Sequence, residues 1–224
     1  MSAPALPRPE TESPKRQAVL DAAADLFIAQ GYGAVSMDAI ARAANVSKAT
    51  LYAYFRSKDQ LFATIITEAC QANLDWETVL PAQGQDVRAA LTGFGRRMLG
   101  FVLQGRALAI HRVVLAESVR FPELGRAFFD GGPATARTLV AAWLAEQASA
   151  GRLRVPDSEV AAEQLMALLR AGLHLRALLG VPPAPNEAEI NATVTASVAT
   201  FLAAYGTASR AHSDQLEAYP ALRT

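Results

Sequence analysis

The chain has 224 residues, 51% of them hydrophobic, and its 21 cationic and 21 acidic side chains leave a formal charge of zero. That length allows one large domain or a small domain joined to a larger one, and the balanced charge removes overall basicity as an argument for a nucleic-acid partner. No apolar run approaches the ~20 uninterrupted residues of a membrane span, the N-terminus lacks the apolar core of a secretion signal, and a single cysteine, Cys70, excludes a disulfide framework or thiolate cluster within one chain; a soluble, cytoplasmic protein without a membrane partner is expected.

Residues 1–13 are expected to form a disordered N-terminal segment. Ser13 followed by Pro14 has the form of an N-cap with proline at the first helical position, and Val19, Ala23, Leu26 and Phe27 recur at helical spacing until Gly31. Ser36 caps a second, short helix through Ala43 and Ser47 a third through Tyr54, with only Ala44, Asn45 and Val46 between them. Ser57-Lys58-Asp59-Gln60 has the form of a capping box and starts a fourth helix through Leu61, Ile65, Ala69 and Trp76, which Pro81 and Gly84 leave. Helical patterns follow at 85–104, 106–120, 122–130, 133–150, 158–180 and 187–205, punctuated by Gly105, Phe121-Pro122, Gly131-Gly132-Pro133, Gly151, Pro156 and Pro182-Pro183-Ala184-Pro185. Nothing alternates with period two over a useful length, so the fold class is all-α. The organisation expected is a three-helix helix-turn-helix domain at 14–60, joined by a shared helix to a larger helical bundle at 61–205, with a loose tail at 206–224.

The stretch from Met37 to Arg56 meets the steric demands of a helix-turn-helix. Two helices crossing steeply need a small residue at their contact, which Ala41 supplies. The turn needs a residue that tolerates positive φ, and Asn45 is the best choice after glycine. Ile40, Val46, Leu51 and Phe55 supply the apolar contacts that lock the pair onto the first helix. The second helix then opens with Ser47, Lys48, Ala49 and Thr50, short or cationic residues where a recognition helix meets the major groove. Tyr52 and Tyr54 lie two positions apart and cannot point the same way, so one or both hydroxyls are expected to reach phosphate. Lys58 opens the fourth helix, where free N–H groups already favour a phosphate. The local charge agrees modestly: residues 14–60 hold six cations against four carboxylates, including all three lysines of the chain.

Residues 14–62, through the ordered set Ile40-Ala41, Val46-Ser47, Leu51-Tyr52, Tyr54-Phe55 and Ser57-Lys58, resemble the DNA-binding domain of TetR-family regulators. The resemblance implies that Ser36, Ser47, Lys48, Thr50, Tyr52, Tyr54 and Lys58 contact operator DNA, with Asn45 standing where glycine is commoner. It also favours repression over activation. The stretch His111 to Phe129 is similar to the C-terminal domain of the AefR-like subgroup.

Apolar and aromatic residues recur along the C-terminal patterns: Phe94, Met98, Phe101, Leu115, Phe128, Trp143, Met166 and Leu178. A helical bundle that mixes small and large residues can open an apolar cavity with a few orienting polar groups, and His111 and His174 are the first candidates for those. Phe94, Met98, Phe101, His111, Trp143, Met166 and His174 are therefore the expected contacts of an uncharged or weakly charged, largely apolar effector bound within 85–180. Three histidines and one cysteine make a metal sensor a poor fit, and neither metal nor cofactor is expected. The patterns at 158–180 and 187–205 are apolar on more than one side, which calls for a second subunit and a homodimer; such a dimer reads a palindromic operator. Two other classes remain: a helix-turn-helix that contacts protein and has no operator, and an enzyme. The first is separated by testing for specific, salt-dependent DNA binding. The second lacks a nucleophile elbow, a phosphate loop, a His-Glu-x-x-His segment and a paired-carboxylate arrangement.

Overall fold

The computed structural model describes residues 13–74, 80 and 86–207. Segment 1–12, Trp76, the exit signals Pro81 and Gly84, and the tail beyond Thr207 lie outside the described residues. Among the described residues every regular element is helical, and a single β-bridge pairs Leu153 with Gly206.

The first four helices follow their sequence signals closely. Helix α1 (Pro14–Gln30) buries Val19, Leu20, Ala23, Ala24 and Phe27 and stops where Gly31 takes φ 81°. Ser13 does not cap it by side chain; its hydroxyl oxygen accepts from the Tyr54 hydroxyl at 2.9 Å. In α2 (Met37–Ala43) and α3 (Lys48–Tyr54) the caps are as read, with Ser36 Oγ accepting from Ala39 N–H at 3.1 Å and Ser47 Oγ from Thr50 N–H at 3.0 Å. Between them Asn45 sits at φ 55°. Ser57 caps α4 (Lys58–Asn73), while the Gln60 side chain turns back to the N–H of Arg56 rather than to that of Ser57. Phe27, Ile40, Leu51, Phe55, Leu61 and Phe62 are sealed from solvent between these helices, each worth about 1.5–3 kcal/mol of burial. Phe27, Tyr32 and Phe62 add a triangle of rings with centroids 5.3–5.8 Å apart, each pair about 0.5–1.5 kcal/mol more.

The second unit comprises α5 (Val87–Val102), α6 (Gly105–Glu117), α7 (Pro122–Phe129), α8 (Thr135–Ser149), α9 (Ser158–Arg170), α10 (Leu173–Leu178) and α11 (Glu187–Tyr205). Its core joins Leu91, Phe94 and Leu99 to Val140, Trp143 and Leu144, to Leu165 and Leu169, and to Val194, Val198 and Phe201. Gly95 lets α5 settle against α9 and α11, since a Cβ there would come within 2.8 Å of Leu169 and 2.9 Å of Val194. Among the described residues no single helix is long and apolar enough to cross a membrane.

Two boundaries differ from the sequence reading. The Gly131-Gly132-Pro133 run does not break the chain; Asp130–Ala134 forms a π-helical turn that carries α7 into α8 with helical dihedrals on both sides. Proline has no N–H for the α-ladder, and the widened turn accommodates that loss without ending the helix. Conversely, 158–180 is not one helix. Gly172 takes φ 67° and parts α9 from α10, a change of direction that glycine alone permits cheaply. Packing also ignores the expected boundary at residue 60. The core around α1 continues through Leu61, Phe62 and Ile66 of α4 into Ile110, Val114 and Leu124 of α6 and α7.

Candidate nucleic-acid interface and ligand cavity

Helices α2 and α3 present the expected residues at the surface. Ser36, Ser47, Lys48, Ala49 and Tyr52 are exposed, and Thr50 is half-buried. Ser47 and Thr50 share a hydroxyl–hydroxyl hydrogen bond of 2.8 Å beside the cap. Lys48 is held across the motif by Asp38, at 2.5 Å, with 65% of its side chain still exposed. Tyr52 faces out, 48% exposed. Tyr54 turns the other way, against Ser13 and the Phe55 ring, so of the two hydroxyls that of Tyr52 is open to an approaching phosphate.

Lys58 departs from the expectation. Its ammonium donates to the carbonyls of Tyr32 at 2.7 Å and Val35 at 3.0 Å, and lies 4.2 Å from the Tyr32 ring centre. Burial holds its pKa below the ordinary lysine value. The side chain folds back because the segment after α1 leaves two carbonyls without helical partners beside the start of α4. Lys58 thus closes the α1–α2 connection instead of standing free at the surface.

Helix α6 grips the helix-turn-helix unit at both ends, a feature the sequence reading missed. At its start Arg106 pairs with Asp25 at 2.8 Å and with Asp21 at 3.7 Å on α1. At its end Glu117 accepts the N–H groups of Tyr32 and Gly33, each at 2.7 Å. Gly31 and Gly33 make that approach possible: a Cβ would lie 2.4 Å from the Glu117 carboxylate and 2.8 Å from the Phe121 ring, respectively. No sequence pattern links residues some 85 positions apart.

Between these grips, α6 walls a cavity of about 210 Å³. Helix α4 contributes Ile65, Ile66, Ala69, Cys70 and Asn73 at helical spacing, and α5 adds Met98 and Phe101. Phe128, Gly132 and Pro133 come from the end of α7 and the π turn. Met166 and Arg170 of α9 and His174 of α10 complete it. Of the seven expected contacts, Met98, Phe101, His111, Met166 and His174 meet there. Phe94 and Trp143 do not; both belong to the core between α5, α8 and α11, because helical spacing tells which residues are inside but not which of them border a void. Arg170 is the charged lining residue on α9 that the expected contacts did not include. It falls midway between Met166 and His174 at intervals of four, a stripe that could have singled it out.

His111 stacks between Phe128 at 4.9 Å and His174 at 5.4 Å between ring centres. Burial, then the neighbouring His111, then the Arg170 charge bring the His174 pKa from 6.5 down to about 4, and burial and Arg170 lower that of His111. Both rings are therefore neutral at neutral pH. Helix α10 is too short to hold itself; Arg112 of α6 fixes it by donating to the carbonyls of Ala177 and Leu178. Cys70 lines the wall with its thiol pKa raised by burial to about 11, which leaves it protonated and unreactive.

An exposed two-helix reading motif, rigidly seated on a helical domain, defines a helix-turn-helix transcriptional regulator. Residues 19–65 match the family described as bacterial regulatory proteins of the tetR family, and residues 89–207 match the AefR-like transcriptional repressor C-terminal domain. The chain belongs to the TetR family of transcriptional regulators, a non-enzymatic class. Among solved structures it is similar to the flavonoid-responsive regulator FrrA, with 38% identity over 87% of this chain and 98% of that one and a TM-score of 0.72. A TetR-family regulator from Mesorhizobium loti MAFF303099 shares 28% identity over 88% of this chain and all of its own, with a TM-score of 0.76. The regulator TcmR of Streptomyces glaucescens is 33% identical over 113 residues, which cover 49% of this chain and 50% of TcmR. The uncharacterized regulator YhgD of Bacillus subtilis is 42% identical over 53 residues, 24% of this chain and 28% of YhgD. Against these curated relatives the match thus spans a half or less of their length.

Proposed function

We propose that this protein is a cytoplasmic, effector-responsive repressor that binds a palindromic operator as a homodimer and releases it when a small, largely apolar molecule fills the cavity between α4, α5, α6 and α9. The observation that carries the reading is the shared wall: α4 begins beside the recognition helix, and its second half faces the cavity through Ile65, Ile66, Ala69 and Cys70. Ser36, Ser47, Lys48, Ala49, Thr50 and Tyr52 form the operator surface, with Tyr54 and Lys58 holding it in place from behind. A ligand that displaces α4 or α6 shifts the two recognition helices away from the roughly 34 to 36 Å that successive major grooves require.

Dimerisation is supported by α11. Beyond the exposed Glu187 at its start, its outer face, Ala188, Asn191, Ala192, Thr195, Ala196, Ala199, Thr200 and Ala203, carries no charge and only small side chains over about four turns, which suits close packing against a second copy. The test of induction is a pair of titrations, with ligand found by thermal-shift screening added to the free protein and to its operator complex. Linkage requires the operator to weaken ligand binding by the factor by which ligand weakens operator binding. Equal ligand affinities in both titrations would leave the C-terminal domain a dimerisation unit alone.

A further inference from the structure

We propose that the effector is an organic acid: a small apolar body bearing one carboxylate, which seats on the Arg170 guanidinium. This rests on the effector reading of the cavity and adds the ligand's charge to it. Among the described residues the lining contains Arg106, Arg170, His111, His174, Asn73 and Gln104 and no aspartate or glutamate. Arg106 already has its counter-charges in Asp21 and Asp25. Arg170 has none among the described residues. Its Nε donates to the Met166 carbonyl at 3.2 Å, as suits a cation in the last turn of a helix, and the two terminal NH2 groups remain for a ligand.

A cation partly withdrawn from water without a counter-charge carries a desolvation cost, and a bound anion offsets it. Burial already lowers the Arg170 pKa, and its charge depresses both histidines. Arginine's planar fork matches a carboxylate with two parallel hydrogen bonds. The neutral imidazoles, which have no hydrogen-bond partner among the described residues, each offer one further N–H. Met98, Phe101, Ile66 and Phe128 receive the apolar body. At about 210 Å³ the cavity is smaller than the ~300–1,000 Å³ of sites for drug-sized ligands, so the body is a single ring or a short chain. An amine of the same shape would meet like charge at Arg170 and no carboxylate among the described lining residues.

The experiment titrates phenylpropanoate, phenylpropanol and phenylpropylamine into the full chain by calorimetry at neutral pH, with and without operator DNA. Wild-type protein is expected to prefer the acid over the alcohol by roughly tenfold or more and to refuse the amine. Arg170→Met should lose that preference while its alcohol affinity stays within about threefold; Arg170→Lys, which keeps the charge, should retain part of it. If Arg170→Met fails to fold, as its melting curve will show, the wild-type and Arg170→Lys comparisons decide. An alcohol that binds as well as the acid and still displaces operator overturns the organic-acid assignment and leaves the effector cavity standing. An acid preference that survives in Arg170→Met overturns it too. Failure of all three probes at millimolar concentration overturns both readings.

Discussion

Lys48 and Lys58 look alike in sequence, each opening a helix after a capping serine, yet the structure separates them. Lys48 is exposed beside Asp38, and Lys48→Ala is expected to weaken operator binding and to reduce the magnitude of the salt slope by about one unit, with little change in sequence preference. Lys58 holds two backbone carbonyls, so Lys58→Met should instead destabilise the fold by about 1–3 kcal/mol, seen as a lower melting temperature, while the folded fraction keeps its salt slope. A Thr50 substitution that relaxes preference at one base pair, by roughly 1–3 kcal/mol, would identify the reading position in a binding-site selection. His174 adds a pH signature. Above pH 6.5 folded and unfolded chains both carry a neutral ring; between 6.5 and about 4 the unfolded chain takes up a proton that the folded chain refuses. Stability therefore falls as pH drops through that window, and melting curves of His174→Gln should show a shallower acid decline than wild type. The identities of these residues were legible from the motif; their orientations were not, because whether a lysine faces water or folds onto a carbonyl depends on what the preceding loop leaves unpaired.

At the scale of elements, the serine caps at Ser36, Ser47 and Ser57 announced their helices, whereas the two interruptions gave no such signal. Gly172 sits in open space with φ 67°, where an added Cβ meets nothing within 4 Å, so Gly172→Ala should cost about 1 kcal/mol through backbone strain alone and tilt the unit carrying His174. Thermal denaturation measures the first effect and ligand affinity the second. Asn45 supplies the converse test: Asn45→Gly is expected to preserve stability, while Asn45→Val should lower it, since a β-branched residue resists positive φ. Helix α6 carries the mechanistic prediction. With the Glu117 grip on Tyr32 and Gly33 removed, Glu117→Ala should bind ligand with near wild-type affinity yet show a coupling factor closer to one in the paired titrations. Full coupling in that variant would assign transmission to α4 alone.

For the whole molecule, the decisive question is how two reading units are held at a fixed spacing. A single short recognition helix contacts too few base pairs to select a site in a genome. Ala167 on α9 and Ala199 on α11 are both exposed, on the faces assigned to the partner. Ala167→Glu and Ala199→Glu should sediment as monomers and lose operator binding, with helicity by circular dichroism unchanged; dimers in both variants would place the interface elsewhere. A dimer of that kind is expected to protect a palindromic operator, which footprinting would show.

The features legible in the sequence are short-range ones, the turns at Gly131-Gly132-Pro133 and Gly172 excepted. Helix caps, the Asn45 turn, the apolar spacing that buries Ile40, Leu51 and Phe55, and the ordered serine, lysine and tyrosine pattern of the reading motif are all local, and steric rules connect them directly to structure. What only the tertiary structure decided is everything that depends on which helices meet. Five expected cavity residues converge while Phe94 and Trp143 are absorbed by the core, Lys58 turns inward, Arg106 and Glu117 reach back to α1 and its following turn, and Arg170 faces a cavity with no acid among its described lining residues. Periodicity reports that a side chain is buried; its neighbours are set by helix crossings among residues far apart in the chain.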